Sequence, residues 1–578
     1  MSWFFGLLGE NRDAFEKNFK AQNSFYYAQY ASGDLCIFYN DQVNCSHNLQ
    51  QSNNNPEKFL AVGIGISQGE RKYVLRHHDW EKILEGEEQY IHLDGHFAIL
   101  KFNRTHITLL TDPIGLRDIY VAKINSREIL FSTRIDLLLQ FVRSEIDLEV
   151  FGSRWLLFNQ ISQRSVLKGI DRIVGGSSVT IDRGNRTIAE KKFFWMPDRN
   201  PHKISSSMFA DKIARITRIH AEGNNKIGLL LSGGLDSRTL ISIILANGPK
   251  DLTLFTFGNE QSADVKVAKR ISQDITLPHL IIDPESLFNK NALSDFRNYS
   301  VQTLVNNSFS SFLHLQSYNQ LRRFGGVLLD GGFGEIWRRE FLYKLAFFNR
   351  QKILARDFNA ILQHLKLHRA EFLEHDVINK MSDGLRNQIE EIYELLPDPE
   401  EIGVENWLDL FAIKTRLANH YSQEQSFLDQ SLISVMPFVQ QSVLSNLHSV
   451  DPHRRKDGKL YKEIIKEYNK GLTKYPLAKG DYLMPFGASS FQVRLFLKLN
   501  KMINKNESQL HRRYYLSRTL TSQILDYINS KNVLECGLYN RRKIENLILL
   551  ISVGTESNQV WNEIDWLLAF ESFRQSVN

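Results

Sequence analysis

Up to about residue 200 the chain sets apolar and polar positions in short alternating runs. Leu35-Cys-Ile-Phe-Tyr39, Ala61-Val-Gly-Ile-Gly-Ile66, His96-Phe-Ala-Ile-Leu-Lys-Phe102, Ile107-Thr-Leu-Leu110 and Ser178-Val-Thr-Ile181 are each bounded by Asn, Asp or Gly. Runs of this kind between turn formers predict an antiparallel sheet domain with few long helices. The apolar stretch 3–8 joins it as a buried first strand. From Pro201 the texture changes. Residues 208–219 carry apolar positions at helical spacing, and 227–231, 252–257 and 280–283 read as short buried strands separated by helices over 236–246 and 264–275. Strand–helix alternation predicts a doubly wound parallel sheet with ligands at the carboxyl ends of its strands. Beyond about residue 340 the pattern is helical, over 345–367, 376–395 and 407–427. The predicted organisation is a sheet domain over 1–200 and an α/β domain over 201–578 with a helical C-terminal part.

The first parallel strand runs directly into Leu230-Leu-Ser-Gly-Gly-Leu-Asp-Ser237. A strand passing through a glycine turn into a helix offers free backbone N–H groups at the positive end of a helix dipole. The missing side chains let a phosphate come close. Leu230, Ser232, Gly233, Gly234, Leu235, Asp236 and Ser237 are therefore the expected nucleotide cradle. Asp236 cannot hold a phosphate directly, but it can hold one through Mg²⁺. Phe257 and Gly258, at the end of the next strand, are placed to contact adenine, while Asp264 reads as an exposed charge in a first helical turn. The string is that of a loop used to split ATP between the α- and β-phosphates. It lacks the Gly-Lys-Ser/Thr ending of a γ-phosphate loop.

A second apolar strand feeds a second glycine cluster, Val327-Leu-Leu-Asp-Gly-Gly-Phe-Gly-Glu335. Gly331 and Gly332 extend the expected nucleotide site. Asp330 and Glu335 are the further Mg²⁺ ligands it suggests, because one carboxylate alone makes a poor Mg²⁺ site. The basic run 454–479 reads as a solvated helix face, with Lys459, Lys462, Lys466 and Lys470 at near-helical spacing.

Composition narrows the class without naming it. Apolar residues make up 42% and charged residues 24% of the chain, as in a water-soluble globular protein. The net charge of +6 is too small to argue for nucleic acid. The three cysteines, Cys36, Cys45 and Cys536, form no C-x-x-C pair. With no basic leader and no apolar run near about 18 residues, a cytoplasmic enzyme without a membrane or nucleic-acid partner is expected.

Motif order adds a resemblance. Leu93-Asp-Gly-His-Phe-Ala98, then Thr111-Asp-Pro-Ile-Gly-Leu-Arg-Asp-Ile-Tyr120, then Phe131-Ser-Thr133 resembles the second half of a class II glutamine amidotransferase domain. With the ATP loop behind it, the chain resembles the asparagine synthetase B family and its β-lactam synthetase and lasso-peptide cyclase relatives. The resemblance implies an N-terminal nucleophile (Ntn) type sheet sandwich followed by an adenine nucleotide α-hydrolase-like sheet. It implies ATP and Mg²⁺ as cofactors, and a small-molecule or peptide carboxylate joined to ammonia or an amine. Lys479, in Lys479-Gly-Asp-Tyr-Leu-Met-Pro485, resembles the family lysine that reaches the α-phosphate. With Asp236 it is the implied catalytic residue.

One departure matters. The family's glutaminase uses a cysteine exposed by Met removal, and Ser2 stands there instead. A hydroxyl is a far poorer nucleophile than a thiolate, and no Asn-Gly-Glu stretch follows, so no glutaminase nucleophile is expected. An intramolecular amide- or lactam-forming cyclase, or a homologue that binds without catalysing, are the competing readings.

Overall fold

The computed structural model describes all residues except 1, 43, 50–56, 69–71, 87, 88, 159, 199–203, 222–225, 248–250, 284–291, 339–341, 431, 481, 504–515, 517–519 and 578. The expected boundary at 200 falls outside the described residues.

In the N-terminal half the predicted strands form two antiparallel sheets. The first contains β1 (Ser2–Leu8), β2 (Ala28–Ser32), β3 (Leu35–Asp41), β8 (Ile119–Lys123), β9 (Ile129–Ser132) and β10 (Asp171–Ile173). The second contains β4 (Cys45–His47), β5 (Lys58–Ile66), β6 (Asp94–Phe102), β7 (His106–Thr111), β11 (Ser177–Asp182) and β12 (Ile188–Lys192). Alternation along β1 explains the stacking. Phe4 and Leu8 enter the core between the sheets with Tyr39, Leu60, Leu100 and Phe131. Trp3, Phe5 and Leu7 point to the opposite face, against Phe15 and Phe19 of helix Arg12–Gln22. Strands covered on both faces lose the polar side of a half-exposed strand, so β1 is buried along its whole length. The second sheet is covered outside by Trp80 and Leu84 of helix His77–Glu85. The result is the expected α+β sandwich.

The second half holds a parallel sheet of β13 (Ile227–Leu230), β14 (Leu252–Phe257), β15 (His279–Ile282), β16 (Val327–Leu329) and β17 (Ile433–Val435). Its spatial order is β15-β14-β13-β16-β17, a doubly wound sheet as the strand–helix alternation predicts. Two helical expectations change in detail. The stretch 345–367 is broken into Tyr343–Phe348, Arg350–Leu354 and Phe358–Leu365, with left-handed Arg356 and the Asp357 cap forcing the second break. The stretch 407–427 runs as Val404–Ala412 and Ser422–Leu428 with a π-helical segment, Ile413–Tyr421, between them. Within the basic run Arg455 is buried rather than solvated, because it pairs with Asp409 at 2.7 Å.

The helical C-terminal part is not a tail. Phe570 and Phe573 of the last helix, Asn558–Val577, share one core with Phe151, Trp155, Trp3 and Phe5. A buried polar seam joins the halves elsewhere. Arg117 donates through Nη1 to Asp429 (2.7 Å) and through Nη2 to the Ser2 carbonyl (2.7 Å). His96 Nε2 lies 3.1 Å from the same carboxylate. Gly95 N donates to Gln440, and Ser442 N to Asp94.

Burial alone would raise the Asp429 carboxyl, but His96 and Arg117 outweigh it and hold it below the usual carboxylate range. The folded value is thus below the unfolded one. The stabilisation is present above about pH 4 and is lost as pH falls through the folded value. Asp429→Ala strands Arg117 in the seam and should cost about 3–5 kcal/mol in urea denaturation near neutral pH. The deficit relative to wild type should shrink toward acid.

Candidate functional site

The order of the parallel sheet reverses between β13 and β16, and a doubly wound sheet binds ligands in the crevice at that point. The loops after these two strands are the two glycine clusters. They touch: a Cβ added to Gly334 would stand 2.8 Å from Asp236 Cγ, and one on Gly331 would stand 3.3 Å from Ser237 N. Glycine is needed here so that the second loop can lie against the start of helix Leu235–Asn247.

The first loop is held from within. Ser232 N donates to Ser237 Oγ (3.0 Å), Gly234 N donates to Ser232 Oγ (3.1 Å), and the two hydroxyls lie 3.0 Å apart. Gly233 N donates to Asp264 Oδ1 at 2.7 Å. Asp264 is therefore no simple exposed first-turn charge. It caps the loop with a carboxylate where an anionic ligand would take the same N–H.

A further hairpin, β18 (Leu477–Lys479) and β19 (Tyr482–Met484), closes over this loop. Ala478 N donates to the Gly233 carbonyl (2.9 Å), which brings Lys479 beside the glycine turn. The clamp is Arg238, one residue beyond the motif and fully buried. Its Nη1 donates to the Tyr475 carbonyl (2.7 Å), and its Nη2 to Pro476 (2.6 Å) and Gly233 (3.2 Å). Burial lowers its pKa to about 10, which leaves it charged near neutrality.

The acids of the site are unequally engaged. Arg338 grips Asp236 through Nε (2.5 Å to Oδ1) and Nη2 (2.8 Å to Oδ2). Glu335 is met by Tyr421 Oη (3.2 Å) and Arg416 Nε (3.4 Å), both from the π-helical segment. Asp330 accepts from Gly332 N (3.0 Å). Burial first, and then the Glu335 and Asp236 carboxylates, push its carboxyl up to about 6. Like charges crowded around Asp330 call for a hard cation bound through oxygen. Among the described residues, however, no three His, Cys, Asp or Glu side chains converge on one metal position. Asp236 and Asp330 would hold Mg²⁺ as partial ligands, while Glu335, the third acid expected there, is engaged by Tyr421 and Arg416.

At the neighbouring strand end, Gly258 is left-handed (φ 135°) and Phe257 packs its ring 5.0 Å from that of Tyr318. Leu230 is half-buried beside the Phe255 cluster. In the N-terminal half Ser2 is buried, and its Oγ has no hydrogen-bond partner among the described residues. Burial pushes the Cys36 and Cys45 thiols up to about 12, so neither offers a thiolate in its place.

The family model described as asparagine synthase matches residues 208–535, more than half of the chain and all of this site. The chain belongs to the asparagine synthase family. One relative, asparagine synthetase [glutamine-hydrolyzing] 1 of Bacillus subtilis (strain 168), is 28% identical over 214 residues, which cover 35% of this chain and 33% of that protein. The chain therefore matches about a third of that relative's own length. Two solved chains overlap more loosely. One is titled as the allosteric regulatory enzyme of purine biosynthesis (9% identity, TM-score 0.22, 40% of this chain and 60% of that one). The other is the glutamine phosphoribosylpyrophosphate amidotransferase from B. subtilis complexed with ADP and GMP (10%, 0.22, 48% and 65%). Superpositions this loose settle neither fold nor function.

Reading the sequence missed several residues of this asparagine synthase family site. Arg238 was legible only as a charge just ahead of the apolar stretch Leu240–Ala246 of its helix, where a buried charge demands a partner. Arg416 and Tyr421 carry no motif; the π turn that aims them is a backbone event. Glu424, also unforeseen, is half-buried, accepts from Asn307 (2.6 Å) and is pushed up to about 7, chiefly by burial. Arg238→Ala should lower stability by about 3 kcal/mol and expose 476–484 to protease, since three carbonyls lose a charged donor together. Arg238→Lys should restore only part of the protection.

Proposed function

We propose that the protein is an ATP-dependent amide-forming ligase. The observation that carries this reading is the meeting of the Ser232–Ser237 loop, the Asp330–Glu335 loop and the Lys479 hairpin at the switch point of the sheet. In this reading a carboxylate oxygen attacks the α-phosphorus of ATP. The bond to the β-phosphate breaks, and pyrophosphate leaves into the loop, where it would take the Gly233 and Gly234 N–H groups from Asp264 and Ser232. Lys479 offsets the charge that builds on phosphorus, and later the charge on the tetrahedral carbon, when a nitrogen nucleophile attacks the acyl-adenylate and AMP leaves. Mg²⁺, when bound through Asp236 and Asp330, would supply further neutralisation of the leaving phosphates.

The nitrogen is ammonia or an amine rather than glutamine. Ser2 in place of cysteine, its buried hydroxyl and the two suppressed thiols support this reading. The same facts favour, as second reading, an amine carried on the substrate itself, giving a lactam or cyclic peptide.

The test is pyrophosphate and AMP release from ATP with candidate carboxylates, with and without ammonia or glutamine. Wild type should need an acid and an amine, and glutamine should not replace ammonia. Asp236→Ala and Lys479→Ala should each lower kcat by about 10²–10³-fold, as loss of one charge-stabilising group does. Absence of release with every acid would sink the ligase reading.

A further inference from the structure

The grip of Arg338 on Asp236 goes beyond what a pyrophosphate loop needs. An acidic residue in such a loop is useful only with a cation between it and the phosphate. In this chain a cation is already in contact with it: both oxygens of Asp236 are taken by one guanidinium fork, at 2.5 and 2.8 Å. A carboxylate engaged in this bidentate way gives one lone pair on each oxygen to the fork, so a metal ion must compete with the guanidinium for its charge and for the space in front of it.

The seat of Arg338 is built into the fold. Its side chain is 12% exposed and that of Asp236 is 20% exposed, so the pair lies at the wall of the crevice and not on open surface. The stem of Arg338 runs over Gly458, where an added Cβ would stand 3.5 Å from Cδ and 3.6 Å from Cγ. Asp457 and Gly458 are both left-handed (φ 59° and 65°), which turns the chain there. Tyr461, from the helix that follows, bonds the Gly334 carbonyl (3.2 Å) and feels the charges of Asp236 and Arg338. The arginine is thus shaped into the junction of the two glycine loops. Arginine also suits a second role there, since its planar fork matches phosphate oxygens as well as it matches a carboxylate.

We propose that Arg338 is an internal cation of the pyrophosphate site, holding Asp236 while the site is empty and turning to the phosphates when the anion and its divalent cation arrive. This rests on the proposed ligase reading only for the identity of the anion. Two consequences follow. Phosphate binding keeps much of its strength without a divalent cation, because Arg338 supplies charge of its own. Removing the Asp236 carboxylate releases Arg338 and strengthens metal-free binding, whereas a purely structural ion pair would weaken it or leave it unchanged.

The experiment measures binding of inorganic pyrophosphate, and separately of ATP, to the full chain by calorimetry. Each is run in Mg²⁺ and again in EDTA, for wild type, Arg338→Ala, Arg338→Lys and Asp236→Asn, with thermal melts to confirm folding. For wild type, EDTA should weaken pyrophosphate binding by about tenfold or less; for Arg338→Ala it should weaken it by about a hundredfold or more, with Arg338→Lys between them. Asp236→Asn should bind pyrophosphate more tightly than wild type in EDTA and gain little from Mg²⁺. Equal EDTA ratios in wild type and a folded Arg338→Ala, weaker metal-free binding in Asp236→Asn, or no pyrophosphate binding by wild type would each overturn the proposal. Pyrophosphate binding without ATP binding would instead count against the ligase reading and leave the Arg338 result standing.

Discussion

A buried guanidinium that has no carboxylate partner among the described residues holds the parallel-sheet half together. Arg238 sits inside the first helix of the parallel sheet, and its charge is met by three backbone carbonyls from two separate segments. Carbonyl dipoles can stabilise a buried charge only if they are fixed in place, so the requirement works in both directions. The helix positions the guanidinium, and the guanidinium in turn fixes 475–476 against the Gly233 turn. Lys479 then has one place to stand, set by the Ala478–Gly233 bond at the base of its hairpin. Gly233 itself has no room for a Cβ, which would stand 2.5 Å from that of Ala478. The turn thus serves two ends at once, close approach of a ligand and close approach of the hairpin.

This arrangement explains which parts of the site could be read in advance. The Ser232–Ser237 loop is local: strand, turn and helix start lie within a dozen residues, and each residue type has its own reason to be there. The sheet was legible for the same cause, since buried parallel strands announce themselves as short apolar runs. Asp264 was not legible in that way. A first-turn acid is an ordinary helix feature, and its bond to Gly233 depends on how two adjacent parallel strands, β13 and β14, place the turns that follow them. Arg416 and Tyr421 fail the same test more severely. Regular helical phase would rotate them elsewhere, and an i→i+5 segment is not written in residue propensities.

The C-terminal part shows a related limit. Its last helix is buried on most of its faces, which periodicity cannot distinguish from an ill-defined amphipathic pattern. It packs against Phe151 and Trp155 and shares a core with Phe5 of the first strand, more than 500 residues away in sequence. Chain ends meeting in one core mean that the two halves do not stabilise independently. The polar seam around Asp429 reinforces the same coupling with charges that are costly to separate.

That coupling bears on the source of the nitrogen. Several polar groups of the N-terminal sandwich that could have faced a small ligand are engaged across the seam. Asp94 bonds Lys72 and Ser442, Gly95 bonds Gln440, and Arg117 spans Ser2 and Asp429. A glutaminase would need a reactive thiolate, and Ser2 and the raised Cys36 and Cys45 thiols supply none. In the reading proposed here, the sandwich has become a structural partner of the ligase half. Its contribution to catalysis is to hold Asp429, the C-cap of helix Ser422–Leu428, and so to keep the π-helical segment before that helix, with Arg416 and Tyr421, aimed at Glu335. The nucleophile then enters the crevice from outside or on the substrate itself, and selection falls on the residues lining that crevice rather than on residues of a glutaminase.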